Sequence, residues 1–579
     1  DFQITYNSND ELGRLCSTLE VMRNELIENN QKVWELLDQR KALTASVSHD
    51  LRTPITVLKG YLDYLLKNLP EKRVSDDVLL TTLKSMAHSS ARLERYVECI
   101  QDIQKIEDIE ISKTMVVGKD FLEEINNDFM IIAKNNHKDL VLEAKKRNIE
   151  IMLDMVLNHT STEHKWFKKA LKGDKKYKDF YIFREGKNNE PPTNWISKFG
   201  GNAWEYVEAF DEYYLHLFDI SQPDLNWDNE GVRKEMQKII LFWMGKGVKG
   251  FRFDVVNLIS KEAFEDDYEG DGRKFYTDGP NIHKYLRELN EKTFGKENGI
   301  LTVGEMSSTS MENCYQYAGE DGKEFSMVFS FHHLKVDFMG NEKWVLVPYD
   351  FAKLKQILFD WQTNMAKNHA WNAVFWCNHD QPRVVSRFGD TGKYWKESAK
   401  MLATVIHCLR GTPYIYQGEE LGMTNAEFQD ISKYRDVESL NHFQILQEKG
   451  LNETQAYQML QVHSRDNSRT PMQWSEEDQA GFAKGKPWIE VNENYKKINA
   501  SQQLKDPDSI FHYYKKLVSL RKEYDVIAYG DFEALDVKNP SVMAYRRTYK
   551  GETLVAASNF YGKEAVWNPE TDLKDHQYL

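Results

Sequence analysis

The chain has 579 residues, 41% of them hydrophobic and 12% aromatic, which is material for several modules rather than one. A formal charge of −14 excludes nucleic acid and an anionic membrane as global partners, so an anionic small substrate needs a local basic pocket. Cys16, Cys99, Cys314, Cys377 and Cys408 are scattered without a CxxC pair, which fits a reducing cytoplasm better than a disulfide framework. No apolar run is long enough to predict a membrane span, and a chain that opens on Asp1 reads as a fragment or a join of fragments.

In chain order, residues 1 to about 135 read as helical, rich in Leu, Glu, Lys, Asn and Arg with few Gly or Pro. Apolar residues recur at helical spacing from Leu12 to Leu37 and from Leu51 to Leu66, Pro70 breaks the pattern, and a second helix runs from about Asp77 to Glu107. Such a hairpin exposes an apolar stripe that pairs with a second copy, so a homodimer is expected. From about residue 140 short β-branched or aromatic runs alternate with amphipathic helices, which predicts parallel βα units. Strands are predicted at 149–157, 250–255, 301–306, 326–331, 372–377 and 412–417, with a long irregular aromatic-rich insert at 160–225. After residue 510 a helix leads into "SVMAYRRTY" and "ETLVAASNFY", which read as strands of a β-sandwich.

Two sets of motifs carry chemistry. In "SVSHDLRTPITVLKGYLDYL" (46–65) an exposed His49 is followed by Asp50, a carboxylate placed to orient the imidazole and take a proton, and Thr53 lies on the same helix face. A lone histidine here would read as a surface residue of a coiled coil. The whole box resembles the dimerisation and phosphoacceptor helix of sensor histidine kinases, and "NDELGRLCSTLEVMRNEL" (9–26) resembles the HAMP signalling helix that precedes it. That resemblance implies a response regulator as partner. The glycine-rich ATP-binding segments of such kinases are missing after Glu110, so autophosphorylation is not expected.

The second set lies at predicted strand ends. "LDMVLNHT" (153–160) ends in His159; "GFRFDVVN" (250–257) sets Arg252 and Asp254 two apart, on one side of a strand; "TVGEM" (302–306) offers Glu305; "FWCNHDQPR" (375–383) offers His379, Asp380 and Arg383. Glycoside hydrolysis uses one carboxylate as nucleophile and one protonated carboxyl as acid, and barrel enzymes draw such groups from the carboxyl ends of different strands. These segments together resemble the α-amylase family of retaining glycosidases over roughly residues 140–579. The resemblance implies Asp254 as nucleophile, Glu305 as acid/base and Asp380 as transition-state stabiliser, with His159, Arg252, His379 and Arg383 contacting substrate; no cofactor is expected, and no metal, because no run of closely spaced acids of the kind that holds one precedes residue 149. "TVGEMSSTSMENCYQY", "SFHHLKVDF" and "SRDNSRTPMQW" resemble the trehalose-6-phosphate hydrolases within that family, with the oligo-1,6-glucosidases as the alternative. A phosphorylated disaccharide requires cations, and Arg273, Lys274 and Lys284 in the insert after the nucleophile strand are the candidates.

The expected architecture is α/β: an incomplete (β/α)8 barrel with an inserted domain after the third strand and a truncated β-sandwich, preceded by a long helical hairpin. The expected boundaries are 1–27 for the HAMP-like helix, 28–110 for the phosphoacceptor hairpin, 111–137 for a kinase remnant, 138–509 for the barrel with its insert at 160–225, and 510–579 for the sandwich. Six strands are readable where the family plan has eight, and kinase-like sequence occupies the place of the first two. Three readings stand: a hydrolase short of two barrel units, a signalling fragment accepting phosphate on His49, or two unrelated sequences joined near residue 138.

Overall fold

The computed structural model describes residues 137–569, except 189, 320 and 341. The chain divides into two units, Asp1–Asn127 and Asp128–Leu579, and the described residues all belong to the second. The HAMP-like helix, the hairpin with His49, Asp50 and Thr53, and the kinase remnant up to residue 136 lie outside the described residues.

The unit opens with α1 (His137–Lys146) and β1 (Met152–Val156), followed by three short strands, β2 (Phe183–Glu185), β3 (Trp204–Val207) and β4 (Glu212–Leu215). Then come α2 (Glu230–Gly245), β5 (Gly250–Asp254), α3 (Ile282–Lys292), β6 (Leu301–Glu305), α4 (Met311–Tyr317) and β7 (Met327–Phe329). After them stand α5 (Phe351–Lys367), β8 (Ala373–Val374), α6 (Trp395–His407), β9 (Thr412–Pro413) and α7 (Ile510–Glu523), and last β10 (Asp531–Leu535), β11 (Val542–Tyr549) and β12 (Glu552–Asn559).

The β5 sequence GFRFD shows why the central sheet forms. Phe251 and Phe253 are fully buried on the outer face, packed in one core with Ile240 and Met244 of α2 and Leu289 of α3. Burying a Phe side chain contributes about 1.5–3 kcal/mol. Arg252 and Asp254, one residue out of phase, take the other face. Gly250 is required by its neighbour, because a Cβ there would come within 2.9 Å of the Met152 side chain of β1. Helix α2 starts where Asn229 caps it, its Oδ1 accepting from the Gly231 N–H at 2.8 Å, and it buries Val232, Met236, Ile240 and Met244 at four-residue spacing.

The parallel strands run in the order β1-β5-β6-β7, and a parallel bridge from Val328 to Asn372 continues the array to β8 and β9. All six strands read from the sequence are present, each shorter than expected. Asp154 of β1, Arg252 of β5 and Val303 of β6 share a register row. Under the strand ends, Met152, Val303, Met327, Ala373 and Tyr414 fill the interior as an apolar plug.

Two expectations are corrected. The insert at 160–225 is not irregular: it holds an antiparallel sheet of order β2-β4-β3, with Trp195, Trp204 and Tyr276 in its core. Its strands are three or four residues long, too short for an alternation pattern to register. In the carboxyl-terminal region the described strands β10, β11 and β12 form one antiparallel layer, docked on the helices by the Tyr545 hydroxyl donating to Val405 O at 2.7 Å. A second sandwich layer is not among the described residues.

Candidate active site

One guanidinium organises the ends of three strands. Arg252 donates to Asp154 Oδ1 and to Asp254 Oδ1, both at 2.7 Å, and its other terminal nitrogen donates to Glu305. The registered neighbours β1, β5 and β6 thus deliver Asp154, Asp254 and Glu305 to one cation. Asp154 and Asp254 against one guanidinium leave surplus negative charge, even with the Glu305 carboxyl protonated, where an oxocarbenium-like transition state would need it. Glu305 is buried, whereas the Asp154 side chain is 52% exposed. Asp154, Arg252, Glu305 and His379 line a cavity of about 350 Å³ whose apolar wall includes Phe329 and Tyr414.

His159, at the end of β1, is buried with its ring 5.2 Å from Phe218 and its Nε2 3.0 Å from the Gln222 side-chain nitrogen. Burial lowers its pKa against the opposing pull of Asp224 and Asp254.

Asp380 sits in a second cluster. Its Oδ1 accepts from Arg469 at 2.7 Å and from Arg465 at 3.2 Å, and His379 Nε2 lies 3.3 Å from its Oδ2. Arg465 is itself backed by Asp436 at 3.0 Å and Glu438 at 3.3 Å. Burial pushes the Asp380 carboxyl up, but His379, Arg465 and Arg469 together outweigh it and hold the group below its usual range. His379 joins the two clusters: it lines the cavity, and its carbonyl accepts from Arg469 Nε at 2.8 Å.

Arg383 is not brought to the cavity. It is 1% exposed and donates to the backbone carbonyls of Gln417, Asn467 and Ser468 while lying against the Tyr416 ring. Its long side chain reaches past the strand end into converging carbonyls, so it fastens loops instead of contacting substrate.

The three cations expected for an anionic substrate separate. Lys274 pairs with Asp267 at 2.9 Å, and Lys284 is exposed on α3. Arg273 pairs with Asp271 at 2.8 Å and stands near two lysines that sequence reading passed over. Burial pushes Lys198 down to about 7, and Arg273 and Lys335 add to that shift. Lys335 is lowered for the same two reasons, burial first and then Arg273. Lys198 Nζ donates to Ser307 Oγ at 3.0 Å, two residues beyond Glu305. Sequence reading also missed Asp154, Arg465 and Arg469. Asp154 had a signal, since a charged residue inside a parallel strand is unusual. Among the described residues no group of three His, Cys, Asp or Glu side chains is placed to hold a metal ion.

With this geometry established, comparison with known proteins is decisive. The sequence profile "Alpha amylase, catalytic domain" matches residues 120–530. The chain belongs to the α-amylase family. A trehalose-6-phosphate hydrolase of Bacillus subtilis (strain 168) is 55% identical over 431 residues, covering 74% of this chain and 77% of the relative. An oligo-1,6-glucosidase of Bacillus cereus is 48% identical over 443 residues, covering 75% and 79%. The crystal structure of Bacillus licheniformis trehalose-6-phosphate hydrolase superposes with a TM-score of 0.72 at 55% identity, covering 76% of this chain and 80% of that one. The α-amylase family barrel is therefore the fold of this unit, and its site is that of a glycoside hydrolase. Outside the family match, the profile "His Kinase A (phospho-acceptor) domain" matches residues 39–109. No described helix is long and apolar enough to cross a membrane.

Proposed function

We propose that the unit Asp128–Leu579 performs retaining hydrolysis of trehalose 6-phosphate to glucose and glucose 6-phosphate. The observation that carries this reading is the single Arg252 guanidinium bonded to Asp154, Asp254 and Glu305 at the ends of adjacent parallel strands. Asp254 attacks the anomeric carbon of the unphosphorylated glucose while protonated Glu305 gives its proton to the glycosidic oxygen, which leaves with glucose 6-phosphate. Glu305, now a carboxylate, takes a proton from water, and the hydroxide formed breaks the Asp254 ester and releases glucose. Asp380, kept ionised by Arg465 and Arg469, steadies the positive charge that develops on the ring.

The phosphate class is supported by Lys198, Lys335 and Arg273, basic side chains near enough to lower the two lysines beyond the effect of burial, with Lys198 bonded to Ser307 two residues past Glu305. A neutral disaccharide would leave that cluster unused, which argues against the oligo-1,6-glucosidase alternative. The test is the ratio of kcat/KM for trehalose 6-phosphate to that for trehalose. Preference for the phosphorylated sugar by at least about a hundredfold is expected from charge-assisted contacts. Equal rates would sink the assignment.

We further propose that the barrel is short of two strands between β9 and β1, whose outer edges have no strand partner among the described residues, and that within the unit Asp128–Leu579 the barrel gives way to the carboxyl-terminal β-strands near residue 510. An open edge costs order, so turnover well below that of a closed barrel is expected; rates equal to those of the Bacillus subtilis relative would contradict it. For residues 39–109 the profile match favours His49, with Asp50 and Thr53, as a phosphoacceptor exchanging phosphate with a response regulator from a homodimeric hairpin. Incubation with a phosphorylated regulator, read as His49→Gln-sensitive label, tests this.

A further inference from the structure

The chain leaving Asp254 and the chain leaving Glu305 are fastened to each other by one side chain. Val255, directly after Asp254, lies in the left-handed region at φ 36° and ψ 38°, where a β-branched residue is rarely found. The turn delivers Asn257 into a fully buried position against the loop after β6. There the Ser307 N–H donates to Asn257 Oδ1 at 2.8 Å, and Asn257 Nδ2 donates back to Ser307 O at 2.9 Å. Asn257 thus makes with Ser307 the paired bonds that two backbone segments would make in a sheet. Its Nδ2 also donates to Asp278 Oδ1 at 3.1 Å, and the Asp278 N–H donates to Asn257 O at 3.0 Å. Asp278 in turn accepts from Thr309 Oγ1 and Tyr317 Oη, each at 2.6 Å, and from Asn313 Nδ2 at 2.8 Å. Three elements, the turn after β5, the loop after β6 and α4, therefore meet on Asn257 and Asp278.

We infer that Asn257, braced by Asp278, is a positioning residue that holds the loop after β6 and so sets the aim of the Glu305 carboxyl relative to Asp254. The inference rests on the proposed roles of those two acids. Retention requires a carboxyl separation of about 5–5.5 Å, and an error near 1 Å costs about a hundredfold in rate. β5 and β6 are held in register only as far as the Phe253–Gly304 pair, and each acid, the last residue of its strand, lies one residue past that ladder. The Asn257–Ser307 pair resumes the connection two or three residues further on. The left-handed backbone at Val255 lies in the stretch of chain between Asp254 and that clamp.

The test is Asn257→Ala, with Asn290→Ala as control. Asn290 is another well-bonded asparagine, donating to Gly322 O and Glu324 O and not to the turn after β5 or the loop after β6. In Asn257→Ala, kcat for trehalose 6-phosphate falls about a hundredfold while KM stays within about threefold. On 2,4-dinitrophenyl α-glucoside, whose leaving group needs no proton, the loss is under about tenfold, because aim of the acid no longer matters. Asn290→Ala lowers Tm without that split. An equal loss on both substrates would overturn the inference. If the unsubstituted chain does not cleave the aryl glucoside, it is the hydrolase reading that fails. The positioning claim is then decided by crystal structures: the Asp254–Glu305 carboxyl separation widens by about 1 Å in Asn257→Ala, and an unchanged separation refutes it.

Discussion

At the ends of β5 and β6 one guanidinium serves three carboxylates; beyond β8 two guanidinium groups converge on one carboxylate. The first cluster carries surplus negative charge and opens onto the cavity, which suits groups that must attack, give and take protons. The second holds Asp380 ionised and oriented, which suits a group whose task is to stay charged. The candidate site is therefore built from two electrostatic environments of opposite balance, with His379 between them. On the proposed roles, carboxylates of like chemistry take different tasks because their cation supply differs.

The largest effect that separates the two clusters is expected from the first. Asp254→Asn should lower kcat on an aryl α-glucoside by about 10⁴-fold or more, as removal of a covalent nucleophile does. Asp154→Asn, which leaves Arg252 its bonds to Asp254 and Glu305, should cost about tenfold to a hundredfold. If Asp154→Asn is as damaging as Asp254→Asn, the roles assigned around Arg252 are wrong. The second cluster is sharpened by Arg469→Met. Asp380 is held below its usual range by His379, Arg465 and Arg469 against the effect of burial, so losing one cation raises its pKa. The acid limb of kcat/KM should then move to higher pH, because the ionised form is the working one. An unmoved limb would show that Asp380 does not govern it.

A smaller effect belongs to the phosphate cluster. Lys198, pushed down by burial to about 7, is protonated below that pH and neutral above it. KM for trehalose 6-phosphate should therefore rise above pH 7, by up to about tenfold per pH unit. KM for an unphosphorylated glucoside should stay flat, and Lys198→Met should abolish the difference. The smallest effect concerns the floor under the second cluster. Cys377, three residues before Asp380, donates to Glu419 at 3.0 Å, and Tyr514 donates to the same carboxyl at 2.8 Å. Burial pushes Glu419 up to about 7. Between the unfolded carboxyl pKa and 7 the folded chain binds a proton that the unfolded chain has released, so this contribution to stability declines as pH rises through that window. Glu419→Gln, which keeps the Tyr514 bond, should gain roughly 1–3 kcal/mol over the unsubstituted chain at pH 8 and little at pH 5, read by urea unfolding. Equal gains at both pH values would refute the buried charge.

Much of the frame is readable without coordinates because its signals are local. The six parallel strands announce themselves as short apolar runs, and the two-residue spacing of Arg252 and Asp254 places both on one face. The parts that escaped are those made by distant segments. Arg465 and Arg469 reach Asp380 across more than eighty residues, and nothing in "SRDNSRTPMQW" states which acid they will meet. Lys198 joins Arg273 and Lys335 only after the insert folds back over the strand ends. Arg383, the last residue of the motif it was grouped with, was misplaced because burial among carbonyls of Gln417, Asn467 and Ser468 is a property of two other segments.

The central claim is covalent attack by Asp254, and a single turnover tests it. The chain is incubated with 5-fluoro-α-glucosyl fluoride, whose glycosyl-enzyme breaks down slowly, and peptides are then mapped by mass spectrometry. The account predicts one fluoroglucosyl group esterified to Asp254. Label on Asp154 or Glu305, or release of sugar with inverted anomeric configuration and no label, would contradict it.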